Sequence, residues 1–145
     1  MVAEKIQVLL VEDNLGDRRL AMEALKDSKL TVNMHTAANG VEALSFLYHE
    51  NEYADTPRPD LILLDLNLPK KDGREVLAEI KANDDLKSIP VVILSSSEAD
   101  TDIAHCYNHH ANSYIPKPVD LEQFTNIMRT IESFWFTTVK LPQEG

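Results

Sequence analysis

Glu12-Asp13, Asp65, Ser95-Ser96 and Lys117 are the residues whose types could do chemistry together. Each group stands at the end of a short apolar run: Ile6-Gln-Val-Leu-Leu-Val11, Leu61-Ile-Leu-Leu64, Val91-Val-Ile-Leu94 and Ser113-Tyr-Ile115. Carboxylates that approach one another repel, and their proton affinity rises unless positive charge offsets them. A hard divalent cation does this well, and Mg²⁺ favours one or two carboxylates, several waters and a phosphate oxygen. A lysine adds a second, fixed positive charge. Such a set can hold a phosphoryl group. One carboxylate can accept that group from a donor and form an acyl phosphate. Cation and lysine would then neutralise charge on the equatorial oxygens. Taken singly, each residue has a plainer reading. An acid after a strand is often a helix cap or a solvated turn, and a lone lysine is usually a surface residue. The joint placement carries the chemical reading.

That placement requires particular elements. Apolar runs alternate with segments of helical spacing along the whole chain. After Asn14 and Gly16, residues Leu20, Ala21, Ala24 and Leu25 predict a first helix. Leu30-Thr-Val32 and His35-Thr36 make a weaker strand, ended by Asn39-Gly40. Val41, Leu44, Leu47 and Tyr48 mark a second helix, and residues 50–59, polar with two prolines, read as a loop. Leu61-Ile-Leu-Leu64 is apolar on both faces, the mark of a strand inside a parallel sheet. Val76, Leu77 and Ile80 define a third helix, and Pro90 opens the next buried run. Ser97 would cap a fourth helix. Asp120 with Gln123 resembles a capping box for a long fifth helix carrying Leu121, Phe124, Met128, Ile131 and Trp135. Five βα units imply a parallel sheet with helices on both faces and right-handed crossovers. Ligands in such folds bind at the carboxyl ends of the strands, where the acids, hydroxyls and lysine all fall.

The 145 residues suit a single domain spanning 1–145. The formal net charge of -10 argues against a nucleic-acid surface, which needs clustered Lys and Arg. No apolar stretch approaches a membrane span and no secretory signal is evident. The lone Cys106 excludes an intrachain disulfide and fits a reducing cytoplasm.

Four motifs together resemble the receiver domains of response regulators: Val11-Glu-Asp-Asn14; Leu63-Leu-Asp-Leu-Asn-Leu-Pro69 through Asp72-Gly73; Val92-Ile-Leu-Ser-Ser96; and Tyr114-Ile-Pro-Lys-Pro118. The resemblance runs from about Ile6 to about Ile131. It implies a flavodoxin-like sheet of order 2-1-3-4-5 with five helices. It also implies that Asp65 is the phosphoacceptor and that a sensor histidine kinase is the donor. Glu12 and Asp13 would be the acidic pair around Mg²⁺, with Asp13 the direct ligand and Glu12 acting through water. Asn67 would offer its backbone carbonyl to the cation. Ser95 would hydrogen-bond the phosphoryl group, Lys117 would pair with it, and Tyr114 would turn inward as an aromatic switch. Lys117-Pro118 would be the family's cis peptide. Glu12 stands where Asp is more frequent, and Pro116 before Lys117 is unusual because it removes a strand donor.

More narrowly, the chain is similar to the small cyanobacterial regulators paired with phytochrome histidine kinases. Those share the loop here at residues 48–59 and a final helix running into an aromatic pair, here Phe134-Trp135. This implies a homodimer, with residues 133–145 extending the last helix as a candidate contact; Phe134 and Trp135 read either as core or as part of that contact. No residues remain beyond the fold for DNA binding, so output would pass through protein contacts.

Other residues yield less. His105 and His109 are four apart, but no acid or Cys completes a metal set beside them and His110. Cys106 reads as a small apolar residue, and Lys70-Lys71 as a solvated pair that could steer an acidic partner. Two rival functions remain. A phosphohydrolase using Asp65 would want an acid two residues on, where Asn67 stands. A pseudo-receiver that never takes phosphate would not need the intact acidic set.

Overall fold

A computed structural model describes residues 6–26, 32–95 and 113–116; the side chains of 24–26, 32, 95 and 113–116 lie outside that description. The elements run β1 (Ile6–Val11), α1 (Leu15–Lys26), β2 (Val32–Ala37), α2 (Gly40–Leu47), β3 (Leu61–Asp65), α3 (Gly73–Ala82), β4 (Val91–Ser95) and β5 (Ser113–Pro116). The strands form one sheet ordered β2-β1-β3-β4-β5, and every neighbouring pair is parallel. The fourth and fifth helices expected from the sequence lie outside the described residues.

The inner strands explain their own composition. β3 is buried over all five residues, and Val91 to Leu94 are no more than 6% exposed. A strand covered by helices on both faces can afford no polar side chain until it leaves the sheet. Each fully buried Leu or Ile contributes about 1.5–3 kcal/mol relative to an exposed one. The edges differ. β2 is bounded by one neighbour and exposes Asn33 and Thr36. β5 is the opposite edge and places Pro116 at its last position, where a missing N–H costs least.

Helices α2 and α3 cover the sheet with Ala43, Leu44, Phe46 and Leu47, and with Val76, Leu77 and Ile80. Leu86 and Ile89, after α3, join the same core. Val41, expected on the inner face of α2, is 50% exposed. It sits in the first turn, off the buried face that runs through Gly40, Ala43, Leu44, Phe46 and Leu47. The loop at 50–59 contains a single 3-10 turn, Asn51–Tyr53, which the sequence reading had not anticipated. Tyr53 packs its ring against Phe46 in a tilted arrangement, with centroids 5.7 Å apart.

Register fixes the site. Val11 pairs with Ala37 on one side and Leu64 on the other. One step beyond, Glu12 stands across from Asp65. On the far side of β3, Asp65 pairs with Leu94, and Ser95 pairs with Pro116.

His35 on β2 sits over Phe46, with ring centroids 5.3 Å apart, and its Nε2 lies 2.8 Å from the Gln7 Oε1. Burial holds its pKa below the usual 6.5. The native state therefore favours neutral His35, while the unfolded chain takes up a proton near pH 6.5. The stability tied to this site is present above that pH and is lost as pH falls through the folded value. Urea unfolding of the wild type and His35→Gln should show the wild-type advantage narrowing between pH 7 and pH 5. Parallel pH profiles would refute the assignment.

Candidate metal and phosphoryl site

At the carboxyl end of β1 and β3, oxygens of Glu12, Asp13 and Asp65 all lie within 4.8 Å of one another. Glu12 is 2% exposed and Asp65 5%, whereas Asp13 is open to solvent. Glu12 and Asp65 each accept a backbone N–H two residues on. Asn14 N donates to Glu12 Oε2 and Asn67 N donates to Asp65 Oδ1, both at 3.2 Å. Each turn is the short-range fold that an acid after a strand favours.

Magnitudes decide what the cluster wants. Two unit charges 4.8 Å apart repel by roughly 3 kcal/mol at an effective dielectric near 20. Desolvating two buried carboxylates adds several kcal/mol more. A hydrogen bond to a charged group returns about 1.5–3 kcal/mol, and a cation among the three carboxylates would oppose their repulsion directly. Three carboxylates, two of them buried and one facing water, fit a hard divalent ion with room for its own waters. Glu12, Asp13 and Asp65 are the side chains placed to hold it.

The surrounding backbone is tied down. Asn14 caps α1, its Oδ1 accepting Asp17 N at 3.0 Å, so the cap is Asn14 and not Asp13. Arg18 Nε donates to the Glu12 carbonyl at 2.7 Å and fixes the end of β1 from α1. On the other side, Gly73 N bonds the Leu66 carbonyl at 2.9 Å. A Cβ at Gly73 would collide with the Asp65 carbonyl oxygen and approach Leu66 Cα to 2.6 Å. Asp72 and Glu75 form a reciprocal capping box that starts α3 directly behind the loop.

The structure thus brings together Glu12, Asp13 and Asp65, and places Asn67 beside Asp65. Ser95 ends β4 and Tyr114 lies in β5, as expected; their side chains fall outside the description. Lys117, Phe134 and Trp135 lie outside the described residues, as do Ser97, His105, Cys106, His109 and His110. Lys71 is not simply solvated: its Nζ pairs with Glu79 Oε2 at 2.8 Å. The roles of Arg18, Glu79 and Tyr48 were not read from the sequence. Only Arg18 had a local signal, one helical turn after Asn14.

The receiver domain profile of response regulators matches residues 8–129. The response regulator Rcp1 of Synechocystis sp. is 50% identical over 135 residues, 93% of this chain and 92% of that protein. The two-component response regulator ARR17 of Arabidopsis thaliana is 37% identical over 81% of this chain and 79% of that protein. Among solved structures, the phosphorylated cyanobacterial phytochrome response regulator RcpA superposes with a TM-score of 0.88 at 52% identity. That match covers 97% of this chain and all of the other. The Mn²⁺-bound form of Rcp1 superposes at 0.85 with 49% identity, covering 95% of this chain and 99% of that one.

Gly73→Ala should destabilise the protein by about 1–3 kcal/mol, the usual cost of overpacking. It should also weaken divalent-cation binding, because relief of the collision moves the Asp65 backbone. Calorimetric titration with Mn²⁺ alongside urea unfolding checks both. Unchanged affinity and stability would show that the close approach is not needed.

Proposed function

The chain belongs to the response regulator receiver family, and from that premise we propose that it is a phosphoacceptor switch acting at Asp65. The donor is a sensor histidine kinase. Its phosphohistidine N–P bond breaks as an Asp65 carboxylate oxygen forms the new O–P bond, and the imidazole leaves. The observation that carries this reading is the buried Asp65, flanked by Glu12 and Asp13, at the carboxyl end of the central strand β3.

The cation is Mg²⁺, held by Glu12, Asp13, Asp65 and the backbone carbonyl of Asn67. When bound, it supplies positive charge against the phosphoryl oxygens. Lys117 supplies a second cation, Ser95 a hydroxyl donor, and Tyr114 relays the change to the β4–β5 edge. Helices following Ser97 and Asp120 complete a doubly wound fold of five helices within one receiver domain. Output passes through protein contacts, and Phe134 and Trp135 in the terminal extension pair two copies as a homodimer. The likeness to RcpA, a phytochrome response regulator, favours a phytochrome-type kinase as the partner, and in this reading the exchange takes place in the cytoplasm. The protein is not itself an enzyme in this reading. Asn67 cannot act as the acid/base a phosphohydrolase wants two residues after its nucleophile, and the intact acidic set argues against a pseudo-receiver.

Incubation with Mg²⁺ and a small acyl-phosphate donor should give one phosphoryl adduct by intact mass. Asp65→Asn should give none while retaining its fold. An adduct retained in Asp65→Asn would overturn the assignment of the acceptor. Multiple-turnover release of phosphate from monoesters would favour the hydrolase instead.

A further inference from the structure

The loop between β3 and α3 carries Asn67 past Asp65 and is drawn tight at several points. Leu68 N and Gly73 N both bond the Leu66 carbonyl, at 3.0 and 2.9 Å, and Lys71 N bonds the Pro69 carbonyl at 2.8 Å. Lys70 adopts a positive φ of 66°, uncommon for a residue with a Cβ. Lys71 then presses its backbone carbonyl against Gly40, where a Cβ would collide with it. These contacts shape the loop but leave open what holds the strained segment down.

Glu79, on α3, answers that. Its Oε2 takes the Lys71 ammonium at 2.8 Å, and its Oε1 accepts the Tyr48 hydroxyl at 2.8 Å. Tyr48 is the C-cap of α2. One carboxylate therefore joins the loop, α2 and α3. Lys71 first, then Tyr48, holds the Glu79 carboxyl below its usual range. The tie thus survives to below the ordinary carboxylate pKa and is lost as pH falls through the lowered value. Lys71 and Glu79 are each about one-third exposed, at 32% and 37%, so the pair is partly screened. Its value lies in geometry and not in global stability.

We propose that Glu79 is a positioning residue for the phosphoryl site: by holding Lys71, with Tyr48 braced against it, Glu79 fixes the loop that links Asp65 to α3. This rests on the reading of Asp65 as phosphoacceptor beside a cation. Without the tie, Lys71 and the positive-φ Lys70 relax, and the Asn67 N–H to Asp65 Oδ1 bond becomes intermittent. Cation binding then includes the cost of reordering the loop. Tyr48→Phe removes only the brace and should have a smaller effect than Glu79→Gln.

The test measures Mn²⁺ affinity by electron paramagnetic resonance of the unbound ion, amide exchange over residues 66–73, and urea stability. These are read on the wild type, Glu79→Gln, Tyr48→Phe, Lys71→Glu and the swap Lys71→Glu with Glu79→Lys. Glu79→Gln should weaken Mn²⁺ binding roughly two- to five-fold, the range of a partly exposed pair. It should also speed exchange in the loop selectively, with the urea midpoint little changed. The swap should recover most of the affinity lost in Lys71→Glu. Wild type that binds Mn²⁺ with unchanged affinity in Glu79→Gln overturns the positioning role alone. A uniform loss of stability, with no selective loop exchange and no rescue by the swap, does the same. Wild type that binds no Mn²⁺ overturns the functional reading and the positioning role together.

Discussion

The structure turns on the repulsion among Glu12, Asp13 and Asp65. Nothing in the core asks for buried carboxylates at the end of an apolar sheet, and two of the three are almost wholly removed from water. Acids gathered this closely favour a cation among them. The rest of the molecule holds those charges where they do not wish to be. The parallel register of β1 and β3 puts Glu12 opposite Asp65. Arg18 pins one strand end, and Gly73 packs against the other.

The apolar sheet is the rigid partner in this arrangement. β3 lies between β1 and β4 and is buried throughout, so Asp65 cannot drift without unpairing a central strand. The loop after it is tied down by other contacts. It is bounded by the α3 capping box and by the Lys71, Glu79 and Tyr48 contacts. A rigid strand end with a separately tethered loop suits the acceptor role proposed for Asp65, in which a change of charge is answered by a change of surface.

Much of this was legible in the sequence because inner parallel strands write themselves as unbroken apolar runs. β1, β3 and β4 were readable for that reason, and the acids ending β1 and β3, with the serines ending β4, marked the functional edge. The face of α3 followed from Val76, Leu77 and Ile80. β2 was harder: an edge strand needs less apolar surface, and Asn33 and Thr36 interrupt its pattern. Val41 helped mark α2, although period alone does not say which first-turn residue is buried. The sheet order came from family resemblance, since alternation of strands and helices does not fix which strands are neighbours. The Tyr48–Glu79 contact spans 31 residues, and no local spacing announces it. Lys71 looked like any surface lysine until its partner was visible.

The most direct measurement is thermal unfolding of the wild type and Asp65→Asn, each with chelator and with millimolar Mg²⁺. If clustered carboxylates are the stored strain, Asp65→Asn is the more stable protein in chelator. Mg²⁺ then raises the wild-type Tm clearly and the variant Tm little. Equal melting of the two proteins in chelator, with no response of the wild type to Mg²⁺, would contradict the central claim that these acids form a strained site for a cation.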